Sequence, residues 1–429
     1  MTVHDVVEQV AALVPGPSLP IDALEFIGSS RFASAFDVTT AAMASVGAAA
    51  LANGSMSIDR NRVVETFATR IDRDGRPLTG WADLSGYYRT SDDGHIQFHC
   101  NFGHHAAGIV RRLGCAPTTE AVQEAVLDWD PAELEEVLIA DGMIAARLRT
   151  LDEWDAHPHA AATANLPVIS IERIGEAEPR DPGRRPRVLD CSRVLAGPIA
   201  GTTLAAHGAD VLRVGSPDLP SVELCVLATG FGKRNAFVDL RHESGRADFA
   251  ELLGGADVWV DAYRPGAFAR HGFGVEAIAP GTVAVQLCAF DWVGPWAGRR
   301  GFDSIVQSTT GIVRAGQQAA GADRPTPLPV QALDYCTGFL AAFAATQLLA
   351  HQAEHGGTWL ARLSLLRTRN WLVGLGGPDP FEPAPLALTD STRCTVDTPF
   401  GVITAAKPVS GSWTHGPQPL GSADPVWHP

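Results

Sequence analysis

Apolar and polar positions fall along the chain in three regimes. Up to about residue 176, helical stretches surround a single strand-like hairpin. Residues 37–51 are Ala-rich and read as a helix, and residues 71–77 (IDRDGRP) read as a turn. Residues 85–90 and 95–100 alternate in the manner of strands around Asp92-Asp93-Gly94, a hairpin signal because Asp-Gly supplies positive φ at the turn. Two amphipathic helices are predicted over 119–128 and 130–141, the second with Asp130 as its N-cap and Pro131 at its first helical position. Residues 175–187 (GEAEPRDPGRRPR) then lose all periodicity and read as a Pro- and Arg-rich linker.

Beyond Arg187 the pattern changes to short apolar runs alternating with helical ones. Strands are predicted at 188–191, 209–214, 236–240, 256–260 and 283–288, with helices at 199–207 and 244–253. Strands alternating with helices give an α/β fold, a doubly wound, mostly parallel, Rossmann-like sheet. The division expected is a small α+β domain over 1–176, a linker over 177–186, and a large domain with a C-terminal tail over 187–429.

Composition narrows the function classes. The 429 residues are 45% hydrophobic and 19% charged, enough for two or three domains with cores of their own. A formal charge of −15 argues against nucleic acid, whose phosphates demand a basic face. The seven cysteines are scattered with no CxxC pair, as expected of reduced thiols in a cytosol. The run 41–52 is too short to span a bilayer, and residues 1–10 carry acids and no basic region, so neither a membrane span nor a signal peptide is expected. The expectation is a cytoplasmic protein.

Few residues stand out as candidate chemistry. Asp334 opens a long apolar helix over 335–351 after the Pro-rich approach 325–329. A carboxylate there is either an N-cap or a group presented to a substrate carbonyl beside backbone N–H donors. Lys233, Arg234, Arg264 and Arg270 are expected in loops after strands, at the edge of a parallel sheet where ligands bind. Residues 230–233 (GFGK) do not form a P-loop, and no GxGxxG follows the first strand, so a nicotinamide cofactor is disfavoured. His104-His105 and His157-Pro158-His159 lack a partnering acid or Cys at ligand spacing and read as solvated or capping, with no metal expected.

The residues beyond Arg187 resemble family III CoA-transferases. The run 188–214 (VLDCSRVLAGPIAGTTLAAHGADVLRV) is similar to the family's opening βαβ unit. Gly232-Lys233-Arg234 with Val238-Asp239-Leu240, the run 257–266 (DVWVDAYRPG), and 292–307 (WVGPWAGRRGFDSIVQ) resemble later family segments in the same order. Asp334, within Gln331-Ala332-Leu333-Asp334-Tyr335, falls on the family's nucleophilic aspartate. Residues 358–366 resemble the family's next strand and helix, and 398–401 and 419–421 its C-terminal tail. Residues 86–94, 108–114 and 151–158 look like the family's small domain, placed here before the large domain instead of after it. Ala262 stands where the family carries Asn, Gly215 where a Glu often ends the second strand, and Ser216 where a basic residue can occur.

The resemblance implies a CoA-transferase that moves CoA from an acyl-CoA donor to a carboxylate acceptor through an aspartyl intermediate. It assigns Asp334 as the catalytic nucleophile and Val194, Leu195, Ala196, Lys233, Arg234, Tyr263 and Arg270 to CoA binding. No tightly bound cofactor is implied, CoA entering as substrate, and the assembly implied is an intertwined homodimer. Two alternatives share the fold. An α-methylacyl-CoA racemase needs a His where Phe302 stands, and Phe cannot carry a proton. A non-catalytic CoA-binding relative would bind without turnover.

Overall fold

The computed structural model describes residues 1–377 and 384–428. Its centre is a seven-stranded sheet: β1 (Ser170–Gly175), β2 (Arg187–Cys191), β3 (Asp210–Gly215), β4 (Lys233–Phe237), β5 (Val258–Asp261), β6 (Val283–Cys288) and β7 (Thr358–Ser364). The spatial order is β4-β3-β2-β5-β6-β7-β1. All neighbours are parallel except β1, which runs antiparallel to β7. Val188, Leu189, Val258, Trp259, Val283 and Ala284 are buried, so both faces of these strands are covered, as parallel sheets require. The winding reverses between β2 and β5, and such a switch point opens a crevice at the carboxyl ends of the strands.

The large sheet draws on residues ahead of the predicted linker. β1 precedes it, yet Ser170 and Glu172 pair with Arg362 and Leu360 of β7. The segment between β1 and β2 is held down: Gln352 accepts from the Arg180 N–H at 3.1 Å and donates to the Glu178 carbonyl at 2.9 Å. At the other end of the chain, the hairpin Arg393–Thr398 and Gly401–Ala406 pairs with Asp72–Arg73 and through it with Arg76–Pro77. The hairpin of the first block pairs Gly86–Arg89 with His95–Phe98, as its turn signal predicts. Its positive φ falls on Asp93, at 60°, while Asp92 Oδ1 takes the Gly94 N–H.

Five helices shape the site: α1 (Val38–Ala52), α2 (Gly103–Leu113), α3 (Ala196–Ala206), α4 (Asp303–Thr309) and α5 (Ala332–His355). α1 is apolar on every side and correspondingly buried from Thr40 to Leu51. α5, at 24 residues, is long and apolar enough by composition to cross a bilayer, but 94% of its apolar window is buried inside the protein. It is the core helix, packed between α1 and α3. The crossing with α3 depends on Gly338, where a Cβ would lie 2.6 Å from the Ala196 carbonyl oxygen and 2.7 Å from Ile199 Cβ.

A buried ion pair fixes α3 on the sheet and corrects one expectation. β4 starts at Lys233, three residues ahead of the predicted strand, so Lys233 is no loop residue. Its side chain is 1% exposed and its Nζ donates to Asp190 Oδ2 at 2.7 Å and the Pro198 carbonyl at 2.6 Å. Gly201 makes the room, since a Cβ there would sit 2.4 Å from Asp190 Oδ2 and 2.8 Å from Lys233 Nζ. Arg234 points the other way and is taken up by Asp210 at 3.0 Å and the Val426 carbonyl.

A second buried cluster fastens the first block to the sheet. Glu135, on the helix Pro131–Ala140, accepts from Arg149 and from Arg299, each at 3.1 Å through Oε1. Arg299 lies 3.7 Å over the Trp296 ring, in the segment leading to α4.

Two substitutions test this packing. Lys233→Ala leaves Asp190 buried and uncompensated and should cost about 3–5 kcal/mol in urea unfolding. Gly338→Ala should cost about 1–3 kcal/mol by overpacking the α3–α5 crossing, read as a lowered melting temperature.

Candidate active site

Asp334 is the third residue of α5, not its cap. The helix begins at Ala332, and its N-cap, Gln331, makes no side-chain capping bond. The Asp334 carboxyl is 7% exposed and meets the start of α3, whose Ala196 N–H donates toward it. α3 has no side-chain cap either: Leu195 occupies the N-cap position with φ −125° and ψ −66°. The turn delivering Ala196 is strained, because Val194, a β-branched residue, sits at φ +67°. Such a conformation costs about 1–3 kcal/mol and persists only where neighbours enforce it. Gly197 shows the crowding: a Cβ there would lie 2.4 Å from Ser192 Cβ and 2.7 Å from Ala262 Cβ.

Asp303, at the first position of α4, supports Asp334 from behind. Its Oδ2 accepts the Asp334 backbone N–H at 2.9 Å, the Leu333 N–H donates to it as well, and Gln307 Nε2 donates to Oδ1. Gln307 Oε1 in turn accepts the Leu328 N–H at 2.8 Å, tying the Pro-rich approach into the same network. Burial pushes the Asp303 carboxyl up to about 6 despite these bonds. Asp334 is pushed well above the carboxylate range, first by burial and then by the Asp303 charge, with only the Ala196 N–H opposing. The pair therefore favours one proton between two carboxyls, a state that makes Asp334 a tunable base or nucleophile.

Asp334 lies at a cleft of about 360 Å³ on the carboxyl side of the sheet. After β2 come Arg193, Val194, Leu195 and Ala196; after β5, Tyr263, Arg264 and Arg270; after β6, Arg300 and Phe302. The first block closes the wall with Phe102, His104, His105 and Ile144. Four arginines and one carboxyl line this space, and among the described residues none of the four makes an ion pair. Arg264 is lowered by burial and by the charges of Arg300 and Arg270, cations left near one another. A second cavity of about 250 Å³ shares Leu219, Tyr263, Ala267 and Arg270 with the first and continues past Ser216, Arg241 and His271.

The structure thus brings Asp334, Val194, Leu195, Ala196, Tyr263 and Arg270 to one cleft, with Arg264 beside them. Lys233 and Arg234 are not in it, the first locked under α3 and the second on Asp210. Arg193, Arg300 and Asp303 are additions to which the sequence pattern assigned no role in the site, and His105 is one that it set aside. His105, expected to be solvated or capping, is 4% exposed in the cleft wall. His157 does cap, accepting the His159 N–H at 3.1 Å, whereas His159 is fully buried against the Phe290 carbonyl. Phe302 stacks on His99 at 3.9 Å between centroids, and His99 sits behind it, outside the cleft lining.

Residues 186–376 match the family model for CoA-transferase family III. The chain is 31% identical over 227 residues to an acetyl-coenzyme A transferase of Hypoxylon pulicicidum, a match covering 51% of this chain and 36% of that protein. It is 30% identical over 201 residues to a succinate–glutarate CoA-transferase of Agrobacterium fabrum, covering 41% and 50%. A probable fatty acyl-CoA transferase of Mycobacterium tuberculosis is 29% identical over 186 residues, covering 40% and 47%. The matches span half or less of the length of these relatives. The stretch similar to CoA-transferase family III, residues 186–376, carries the parallel strands, the arginine loops and Asp334.

Proposed function

We propose that the chain is an acyl-CoA:carboxylate CoA-transferase in which Asp334 carries the covalent intermediate. The observation that carries this reading is the Asp334 carboxyl itself, buried at a cationic cleft and met by the first N–H of α3. The carboxylate attacks the thioester carbonyl, the C–S bond breaks, and CoA leaves as a thiolate, giving a mixed anhydride on Asp334. The thiolate then attacks the aspartyl carbonyl, releasing the donor's acid and leaving an aspartyl-CoA thioester. The acceptor carboxylate displaces the thiolate from this thioester, and the thiolate returns to the acceptor acyl carbon, freeing Asp334.

Each step develops negative charge on an acyl oxygen, and an uncapped helix start supplies donors for it. A thiolate leaves readily, so no strong general acid is required. Arg270, which both cavities share, and Arg264, which lines the first, suit the phosphates of CoA, and Tyr263 is common to the two cavities. The wall from the first block excludes water, which would otherwise hydrolyse the anhydride. A racemase would need a proton carrier where Phe302 presents only carbon. The working assembly we infer is a homodimer, as in the family the sequence resembles.

Incubation with acyl-CoA and hydroxylamine should leave a hydroxamate on Asp334, located by peptide mass spectrometry. Asp334→Ala should lower turnover by at least about 10³-fold; retention of full activity would exclude the nucleophile assignment. The raised pKa adds a pH signature. The ionised form exists only above that value, so the trapping rate should climb with pH well beyond the ordinary carboxylate range. Asp303→Asn, by removing the neighbouring charge, should move that rise to lower pH. The stability counterpart has the opposite sense: a raised carboxyl contributes stability at low pH that is lost as pH climbs through the folded value. Asp334→Asn should therefore gain on the parent in thermal melts as pH rises from 4 to 8.

A further inference from the structure

The wall contributed by the first block carries a set of donors that the transfer chemistry above does not use. His105 is in the first turn of α2, 4% exposed, and lines the cleft. Neither ring nitrogen makes a hydrogen bond among the described residues, and Nδ1 is sealed from solvent without a partner. α2 runs for 11 residues, and its N-cap, Phe102, offers no side-chain acceptor. The N–H groups of His105 and Ala106 turn back to the Phe102 carbonyl at 2.9 and 3.3 Å, leaving the first N–H groups of the helix open.

Two guanidinium groups from other elements line the same cleft and act on His105. Arg193, from the turn after β2, lies 5.0 Å over the Phe102 ring and donates one N–H to the Pro220 carbonyl. Arg300, from the segment after β6, donates one N–H to the Gly142 carbonyl at 2.8 Å. Each retains further donors of the five a guanidinium carries. The charged groups around His105 are His104 on its own helix, with Arg300 and Arg193 across from it. No carboxylate among the lining residues answers them apart from Asp334. Burial first, then these neighbours, hold His105 down at about 4, so its ring meets a ligand neutral and donates through one nitrogen.

We propose that His105, Arg193, Arg300 and the start of α2 form a carboxylate subsite, which makes a short dicarboxylic acid the acid partner of this cleft. The proposal rests on the transferase reading. One carboxylate of the acid reacts at Asp334 while the other is held on the wall from the first block at His105, with Arg193 and Arg300 as the neighbouring cations. A monocarboxylic acid of the same length leaves the buried His105 ring without a partner, and an unpaired buried donor is what discriminates most strongly against an analogue.

The test is calorimetric titration of the full chain without CoA, using glutarate and its one-carboxylate counterpart, pentanoate. Glutarate should bind at least tenfold more tightly than pentanoate. His105→Gln and Arg300→Gln should each weaken glutarate by about 10- to 100-fold and leave pentanoate unchanged. Arg300 is exposed at the rim, so Arg300→Gln carries the test if His105→Gln fails to fold. Glutarate binding as in the parent by both variants overturns the subsite. Loss of CoA binding in the variants with glutarate unaffected overturns it too, because the anion held is then a phosphate. Since no turnover enters these titrations, glutarate discrimination in a protein without transferase activity would sink the transferase reading and keep the subsite.

Discussion

Holding one carboxyl group out of water at the meeting of two helices is the constraint around which the rest of the molecule is arranged. A lone buried carboxylate is expensive, and the Asp334 carboxyl has only the Ala196 N–H to oppose that cost. Everything that places Ala196 is correspondingly tight: a valine forced to positive φ, a glycine against Ser192 and Ala262, and a second glycine where α5 passes over α3. Asp303 fixes the first turn of α5 by taking its backbone N–H groups, and the same charge disfavours ionisation of Asp334. Positioning and protonation therefore come from one residue.

The sheet was legible because strands buried on both faces leave unbroken apolar runs; strand 283–288 needed no adjustment. The hairpin at Asp92–Gly94 and the Asp130-Pro131 helix start were legible because their turn and cap chemistry is local. Failures came where tertiary partners decide. Lys233 sits in a run of polar letters that reads as a loop, and only the carboxylate of Asp190, 43 positions away, makes a buried lysine tolerable. β1 lacks the alternation of a half-buried strand, and pairing with β7 is what makes it one. Asp334 reads as a cap because helix onset depends on Asp303, a residue from another helix, holding the N–H groups of Leu333 and Asp334. The remaining site residues come from the first block or from loops whose side-chain directions no periodicity records.

The order of the chain bears on how the cleft is covered. Residues of the first block supply an edge strand to the large sheet, strands beneath the C-terminal hairpin, and one wall of the cleft. Glu135 links that block to Arg299, four residues ahead of Asp303. A buried guanidinium shared between a helix of the covering block and the segment leading to α4 gives the two a common mechanical fate. The wall of the cleft and the segment that leads to Asp303, the support behind Asp334, are thus tied by one ion pair.

The glycine in the middle of α3 has a consequence for how this sequence can drift. Helix interiors favour alanine, and at position 201 alanine would collide with the Asp190 carboxylate and the Lys233 ammonium. Reverting the glycine alone is barred by the ion pair, deleting either charge alone strands the other, and replacing both charges with small apolar groups would leave a hole beneath the helix. Positions 190, 201 and 233 form a lock that opens only by simultaneous exchange, so a descendant in which one of the three has changed should carry matching changes at the other two.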